Sequence, residues 1–564
     1  MEEKYVFDVK EGRMTLGSGS FTLTVDGVES AEKAFSDNGG LSVPFMKIKA
    51  SVNGENREYN LWDGLSAVEM PMYKGVFTYP VSGNNYTLRT VRLYAVTDYH
   101  DDFTSESLSH MFRGKIAKQQ GNIFFLDEPT GGRTLVFIST APDYARVTLE
   151  VSEGVASVDT CGHGLVVGEC ASTGAEALVR AWYRRKCKPT ELYTMANTWG
   201  DYNAFYRVAD DFIKGEIDGA SRLGLDTLQI DDGWQKGNTS DPTMKNERNR
   251  RVFKGDFWEL KREKFRNGME EMRDYAAEKG IKLGLWFAPD SDGCYERMDR
   301  DVEVLGNAYK SWDMRYFKLD MLYVDNMDMY ESFSEMLRRI YSFGDDVFVQ
   351  LDVTNGVRCG YLGVTQYGRI FAENRYTKLR TYYPHRTLHN LWNICKYIPA
   401  FKFQFELVNP TLNADVYGED DVFAPTHCDM DYLFAITMMS NPLFWMEVQF
   451  LPEEQVAQLE RIMPVWKSIR GELACCDVVP VGERPDGVAF TGFFAYSPEG
   501  GKAYLLAFRE VNEDDSYTFT SCAEVKNARL LASNSNTELK VSGKNIDVSF
   551  GKKRAYAFIE LELK

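Results

Sequence analysis

What this chain has little of narrows its function first. Its six histidines form no ligand pattern such as HExxH, and its ten cysteines are scattered, with only Cys475 and Cys476 close together. Neither a zinc site nor a disulfide framework is expected from that usage. Positive charge is short: 65 Lys+Arg stand against 83 Asp+Glu, a formal charge of −18 with a pI near 5.0. Without a basic stripe to neutralise phosphates, nucleic acid is disfavoured as a partner. No run of 18 apolar residues exists, and the N-terminal stretch has no basic segment followed by an apolar one. The expectation is a soluble cytoplasmic protein with no membrane partner, no cofactor and no metal, its oligomeric state left open.

What is present is a core. The chain is 44% hydrophobic over 564 residues, too long for a single core, so two or three domains are expected. Up to about residue 185 it reads as β. Short runs at 21–25, 86–91, 124–126, 134–138 and 145–151 are separated by turns rich in Gly, Asn or Asp, such as Asp26-Gly27 and Ser82-Gly83-Asn84-Asn85. That spacing is the pattern of an antiparallel sandwich. Nothing catalytic stands out there, and His100 and His110 read as structural.

From about Glu191 the period changes. Strand-sized runs at 192–197, 225–231, 282–288, 316–321, 347–352, 369–374, 402–409 and 441–447 make eight. Helical patterns follow most of them, at 203–223, 256–279, 328–341, 387–398, 429–440 and 452–470, the last with Pro464 as an expected kink. Only short helices are credible after the third and fifth strands. The alternation over about 280 residues is that of a (β/α)8 barrel. From about Gly471 short strands return, as in a small β-sandwich. The expected domains are 1–188, an N-terminal β-sandwich; 189–472, the barrel; and 473–564, a C-terminal β-sandwich.

In such a barrel all strand carboxyl ends meet on one face, where polar residues are chemistry candidates. In the run from Tyr316 to Met321, the period of two puts Lys318 and Asp320 on one strand face. Asp231, Asp232, Trp234, Trp286, Asn355 and Glu373 end other runs or follow them, so they can converge with that pair. Trp199 and Asp201 read as an outer wall. Strands four and six lie two apart, so Asp320 and Glu373 can face each other. A gap of about 5–5.5 Å suits a nucleophile and an acid/base in a retaining glycosidase, and about 6.5–9.5 Å an inverting water. Tryptophans beside paired acids and a lysine suit a sugar, with a flat apolar face and charged partners for hydroxyls.

The set Asp231-Asp232-Gly233-Trp234, Gly284-Leu285-Trp286-Phe287-Ala288-Pro289, Lys318-Leu319-Asp320-Met321 and Glu373-Asn374, in that order on strands two, three, four and six, resembles glycoside hydrolase family 36 and its clan D relatives, the microbial α-galactosidases. The resemblance runs from about Tyr193 to Arg470. It implies a barrel between two β domains and a retaining, exo-acting α-glycosidase acting on terminal α-galactosyl residues. It makes Asp320 the nucleophile, and the strand face that the two share lets Lys318 hold it ionised. Lys318 also binds substrate hydroxyls, and Asp231 and Asp232 hold the outer hydroxyls of the terminal sugar. Trp199, Trp234, Trp286, Asn355 and Arg358 complete the substrate-binding set.

Two departures bear on the sugar. The family's acid/base is usually an aspartate in a WTSDN-like strand end, where this chain has Glu373, one methylene longer. Its cysteine- and glycine-rich loop after strand five is here 352–358, which carries Asn355 and Arg358. Asp352 is the rival acid/base. An α-N-acetylgalactosaminidase, another α-glycosidase of the clan and a non-catalytic sugar-binding relative stand as alternatives. Mg²⁺-dependent barrel chemistry is disfavoured, because a tryptophan follows the paired acids and no phosphate-gripping glycine loop follows the last strands.

Overall fold

The structure is a computed structural model of the 564-residue chain. It describes residues 6–8, 13–18, 21–26, 28–36, 43–52, 55–62, 65, 67–71, 75–81, 86–93, 104–110, 117–128, 132–152, 154–187, 190–201, 204–241, 244, 252–352, 367–372 and 375–564. The described residues up to Cys187 form one compact unit and those from Thr190 onward a second.

The first unit is built of antiparallel sheets of three, nine and four strands. The expected β runs fall on Phe21–Asp26, Thr87–Leu93, Ile123–Asp127, Arg133–Ser139 and Thr148–Ser152. Between the faces lies a core that includes Ile48, Val68, Leu88, Phe124, Phe137, Leu149, Val158 and Val167. The all-β expectation needs one correction: Ala175–Lys186 is an α-helix that buries Leu178, Val179, Trp182 and Tyr183. Those four recur at helical spacing, a signal that the short β runs before it mask. His100 lies outside the described residues, and His110 ends the strand Thr104–His110.

The second unit holds a closed barrel of eight parallel strands: β1 Met195–Asn197, β2 Thr227–Ile230, β3 Lys282–Phe287, β4 Met314–Leu319, β5 Phe348–Asp352, β6 Arg369–Phe371, β7 Phe403–Leu407 and β8 Asn441–Phe444. Each pairs with the next, and β8 pairs with β1. Around it run α1 Asp210–Leu223, α2 Met269–Glu278, α3 Met298–Trp312, α4 Met327–Tyr341, α5 Pro384–Ile394, α6 Met430–Thr437 and α7 Glu453–Cys475.

These helices form where local chemistry favours them. In α1, Asp210 and Asp211 complement the helix dipole, Ile213, Ile217, Ala220 and Leu223 make one buried stripe, and Gly224 at φ +67° ends it. In α4 the Asn326 side chain accepts the Met329 N–H at 2.9 Å, a cap of the kind worth about 1 kcal/mol. The short helix expected after strand three is instead the 15-residue α3. Its buried face is thin, with Val302, Leu305, Gly306 and Ala308 beside a buried Asp301, so the apolar period was faint. The segment 353–366 after β5 lies outside the described residues. The helix α7 continues through Pro464.

From Asp477 the chain forms antiparallel sheets of five and three strands. Phe494, Leu505, Phe519, Ile546, Phe550 and Ile559 fill the core between them.

Candidate active site

The strands that carry the predicted residues end side by side. Asp231 and Asp232 follow β2, Trp286 lies on β3, Lys318 is on β4 with Asp320 just after it, and Asp352 ends β5. One ammonium ties three of these strands together: Lys318 Nζ is 2.8 Å from Asp231 Oδ2 and 3.0 Å from Asp352 Oδ2, with all three side chains buried. It also lies 4.9 Å from the centroid of the Trp445 ring and 5.5 Å from that of Phe371. Burial works against the charged ammonium, but Asp231, Asp352 and Asp320 outweigh it and push the Lys318 pKa upward.

Asp320 is placed by the turn that ends β4. Its own N–H donates to Phe287 O at 2.9 Å, and Met321, at φ +53°, turns its N–H onto Asp320 Oδ1. A non-glycine residue in the left-handed region costs about 1–2 kcal/mol, which the turn spends on aiming a peptide donor at the carboxylate. Trp286 Nε1 donates to Asp320 Oδ2 at 3.0 Å. Burial, then the negative charge of Asp352, raise the Asp320 pKa to about 7 against the lowering by Lys318, Trp286 and Met321. Lys318 favours the ionised form of Asp320 through its field alone, because the ammonium bonds Asp231 and Asp352, and burial with the charge of Asp352 outweighs that field.

The paired acids have separate tasks. Asp231 accepts Asn197 Nδ2 at 2.8 Å as well as Lys318, and its carboxylate also takes the Asp232 N–H at 2.9 Å. Asp232 accepts Gln235 Nε2 at 2.6 Å and the Thr239 hydroxyl. Burial lifts its pKa to about 6. Gly233 sits at φ +119°, where a Cβ would lie 2.7 Å from Phe205 Cβ, so the turn after the two acids requires glycine.

Two aromatic assignments change. Trp234 is fully buried, stacked at 5.8 Å on Trp258 and edge-on to Trp312, with its indole N–H donated to Trp286 O. It presents no face to a sugar. Trp286 is also buried, and its polar edge serves Asp320. Trp199 is half-buried: its peptide N–H donates to Asn197 Oδ1 at 2.8 Å and its indole to the Tyr376 hydroxyl at 3.0 Å, so it bridges the loops after β1 and β6. Glu373, Asn355 and Arg358 lie outside the described residues.

Sequence reasoning passed over Asn197 and Trp445. The Asn197 amide NH₂ donates both to Gln229 Oε1, at 2.7 Å, and to Asp231 Oδ2, at 2.8 Å. An asparagine ending an otherwise apolar strand was the available signal. Asp226 accepts the Thr194 N–H and hydroxyl, each at 2.8 Å, and pairs with Arg470, so it is structural. Glu447 pairs with Arg207, and its N–H donates to Asp201 Oδ2 at 2.9 Å. Burial raises Asp201 to about 7.

Fold and site together define a β/α-barrel protein with an acid-rich mouth crossed by one buried lysine. The melibiase family model matches residues 154–320 and ends on Asp320. Among curated relatives, α-galactosidase Mel36A of Lactobacillus acidophilus is 30% identical over 115 residues, 20% of this chain and 14% of that protein. An α-galactosidase of Oryza sativa is 25% identical over 166 residues, covering 27% and 36% of the two chains. These matches span well under two thirds of the relatives' own lengths. Among solved structures, the GH36 α-galactosidase AgaA of Geobacillus stearothermophilus superposes with a TM-score of 0.66 at 12% identity, over 95% of this chain and 87% of that one. The galactosidase domain of AgaSK gives 0.67 at 12%, over 95% and 86%. The chain thus resembles glycoside hydrolase family 36, in sequence over part of its length and in fold over nearly all of it.

Proposed function

We propose that the protein is a retaining, exo-acting α-glycosidase that releases terminal α-galactosyl residues, with 1–188, 189–472 and 473–564 as its three domains. The observation that carries this reading is the carboxylate of Asp320 at the end of β4, aimed by an indole N–H and a peptide N–H beside the Asp231–Lys318–Asp352 bridge.

In the first step an Asp320 oxygen attacks C1 of the α-glycoside while Glu373 protonates the departing oxygen, giving a β-linked glycosyl ester. Esterification removes the Asp320 charge. In the second step Glu373, now ionised, takes a proton from water, which attacks C1 and frees Asp320. Two inversions give net retention. The tight sets around Asp231, Asp232 and Lys318 would meet sugar hydroxyls with charge-assisted hydrogen bonds. A site built on such bonds rejects an epimer that cannot make them more strongly than one built on apolar fit.

Among the described residues no helix is long and apolar enough to cross a membrane. The nine described cysteines are free, as suits the reducing, cytoplasmic setting that we propose. The experiment is turnover of aryl α-galactoside and α-glucoside, with NMR of the first-formed sugar. Galactoside preference with the α-anomer released first is expected. Initial release of the β-anomer, or equal kcat/KM on the two sugars, would defeat the reading.

A further inference from the structure

Three elements hold the turn that follows β8. Asp201, after β1, takes the Glu447 N–H at 2.9 Å, and Glu216, fully buried on α1, takes the N–H of Val448 at 2.9 Å and that of Gln449 at 3.3 Å. From β7, Leu407 O accepts the Trp445 N–H at 2.9 Å. Gly200 lies so close to the Trp445 carbonyl that a Cβ there would overlap it. The residue fixed in this way, Trp445, is itself fully buried.

Among the described residues Trp445 Nε1 has no hydrogen-bond partner, unlike the indoles of Trp234 and Trp286. A buried N–H left unpaired is costly, so the polar edge of the indole does not explain why tryptophan stands here. Apolar packing alone would be met by leucine or phenylalanine, which bring no orphaned donor. The face of the ring is what remains. Lys318 Nζ lies 4.9 Å from the Trp445 centroid, and the Phe371 ring, 5.0 Å from that of Trp445, stands 5.5 Å from the same ammonium. Asp231 and Asp352 meet the ammonium from β2 and β5.

We infer that Trp445 is a positioning residue of the site: its π face, with that of Phe371, holds the Lys318 ammonium in the bridge between Asp231 and Asp352 and out of contact with Asp320. The inference rests on the proposed glycosidase reading, in which an ammonium bonded to Asp320 would tie down the attacking oxygen. A cation shut away from water gains about thirtyfold in an equilibrium constant from an aromatic face, enough to bias an ammonium that three acids attract. Being fully buried, Trp445 acts through Lys318 and not on the sugar.

The test is a double-mutant cycle of Trp445→Leu and Lys318→Met, with Trp445→Phe as the conservative variant, read by kcat/KM on p-nitrophenyl α-galactoside and by urea unfolding. With Lys318 present, Trp445→Leu should lower kcat/KM about five- to thirtyfold, and Trp445→Phe, which keeps a face, should recover most of that loss. Beside Lys318→Met the same change at 445 should cost less than about threefold, because the partner of the ring is gone. An equal loss in the two backgrounds overturns the inference, since a ring that only fills space acts independently of the charge. Where Lys318→Met leaves no measurable turnover, the unfolding cycle decides: Trp445→Leu should lower the urea midpoint more with Lys318 than without it, and equal shifts overturn the inference. A wild-type chain inactive on the galactoside defeats the proposed function separately, and the unfolding cycle then decides the positioning role alone. If Trp445→Leu does not fold, Trp445→Met, a longer side chain without a face, takes its place in the cycle with the same outcomes.

Discussion

Asp320, half-buried at the barrel mouth, and Glu510, buried in the C-terminal sheets, are both acids whose pKa rises to about 7, and loss of solvent is the first cause in each. Their surroundings differ. One Glu510 oxygen takes the N–H groups of Gly487 at 2.9 Å, Ala489 at 3.0 Å and Asp486 at 3.2 Å, a nest of backbone donors that nothing in a reaction would alter. Asp320 takes an indole and a peptide N–H among the described residues, with the charge of Asp352 pushing its pKa up and the field of Lys318 pulling it down. A raised pKa therefore does not by itself mark a catalytic acid. What separates the two is whether the neighbours are fixed amides or charges that act on one another at the barrel mouth.

The sharpest way to break this contrast is Asp320→Asn. The change is nearly isosteric, and the amide oxygen can still accept one of the two N–H groups that Trp286 and Met321 offer, so the fold should persist by circular dichroism while turnover falls about a thousandfold or more. Retention of more than about a tenth of the wild-type rate would remove Asp320 from the chemistry, since nucleophilic and acid/base groups are each worth orders of magnitude. The mouth would then be a structural ion cluster like the nest around Glu510.

The next effect separates the two other acids. Glu373→Ala should slow an unactivated disaccharide by about 10²–10⁴-fold, slow an activated aryl galactoside far less, and let azide restore the latter. Asp352→Asn should act differently, because Asp352 is tied to Lys318 and raises Asp320 by charge alone. Attack needs ionised Asp320, so kcat/KM should fall as pH drops through about 7 in the wild type. Removing the Asp352 charge should move that limb to lower pH. If Asp352→Asn shows azide rescue and Glu373→Ala slows both substrates less than tenfold, the acid/base is Asp352.

Much of the barrel was legible because several strands end in or beside polar residues that break an apolar run, as Lys318 and Asp320 do. The helix α3 was not, because a glycine and a buried aspartate occupy the face that carries the period elsewhere. The convergence of Asp231, Lys318 and Asp320 followed from barrel geometry alone. Partner choice did not: that the ammonium would bridge Asp231 and Asp352 depends on side-chain reach across β2, β4 and β5, which spacing within one strand does not encode. Trp234 and Trp286 were misread for a related reason. A tryptophan beside an acid is the same signal whether its face meets a sugar or its N–H orients the acid, and only the packing on Trp258 and Trp312 tells them apart.

The smallest effect on activity, and the other arm of the comparison, is Glu510→Gln. Glutamine keeps the shape, its carbonyl can take the same three N–H groups, and its NH₂ replaces the oxygen that has no hydrogen-bond partner. Activity should stay within about twofold, as for a residue remote from the transition state. Stability should show the difference. The Glu510 pKa rises from 4.5 to about 7 on folding, so the folded state favours the protonated acid. Its contribution is fully present below about pH 4.5 and is lost as pH climbs through about 7, the sign expected when the native state binds more protons than the unfolded one. Glutamine never ionises, so the decline in melting temperature between pH 5 and 8 should be shallower in the variant. The acids Asp201, Glu216 and Asp232, also raised by burial, keep their share of the decline in both proteins. Parallel melting curves across that range would show that Glu510 is ionised at no cost in its nest of amides. A loss of activity close to that of Asp320→Asn would show instead that the two acids are linked, and the distinction between fixed amides and shared charges would fail.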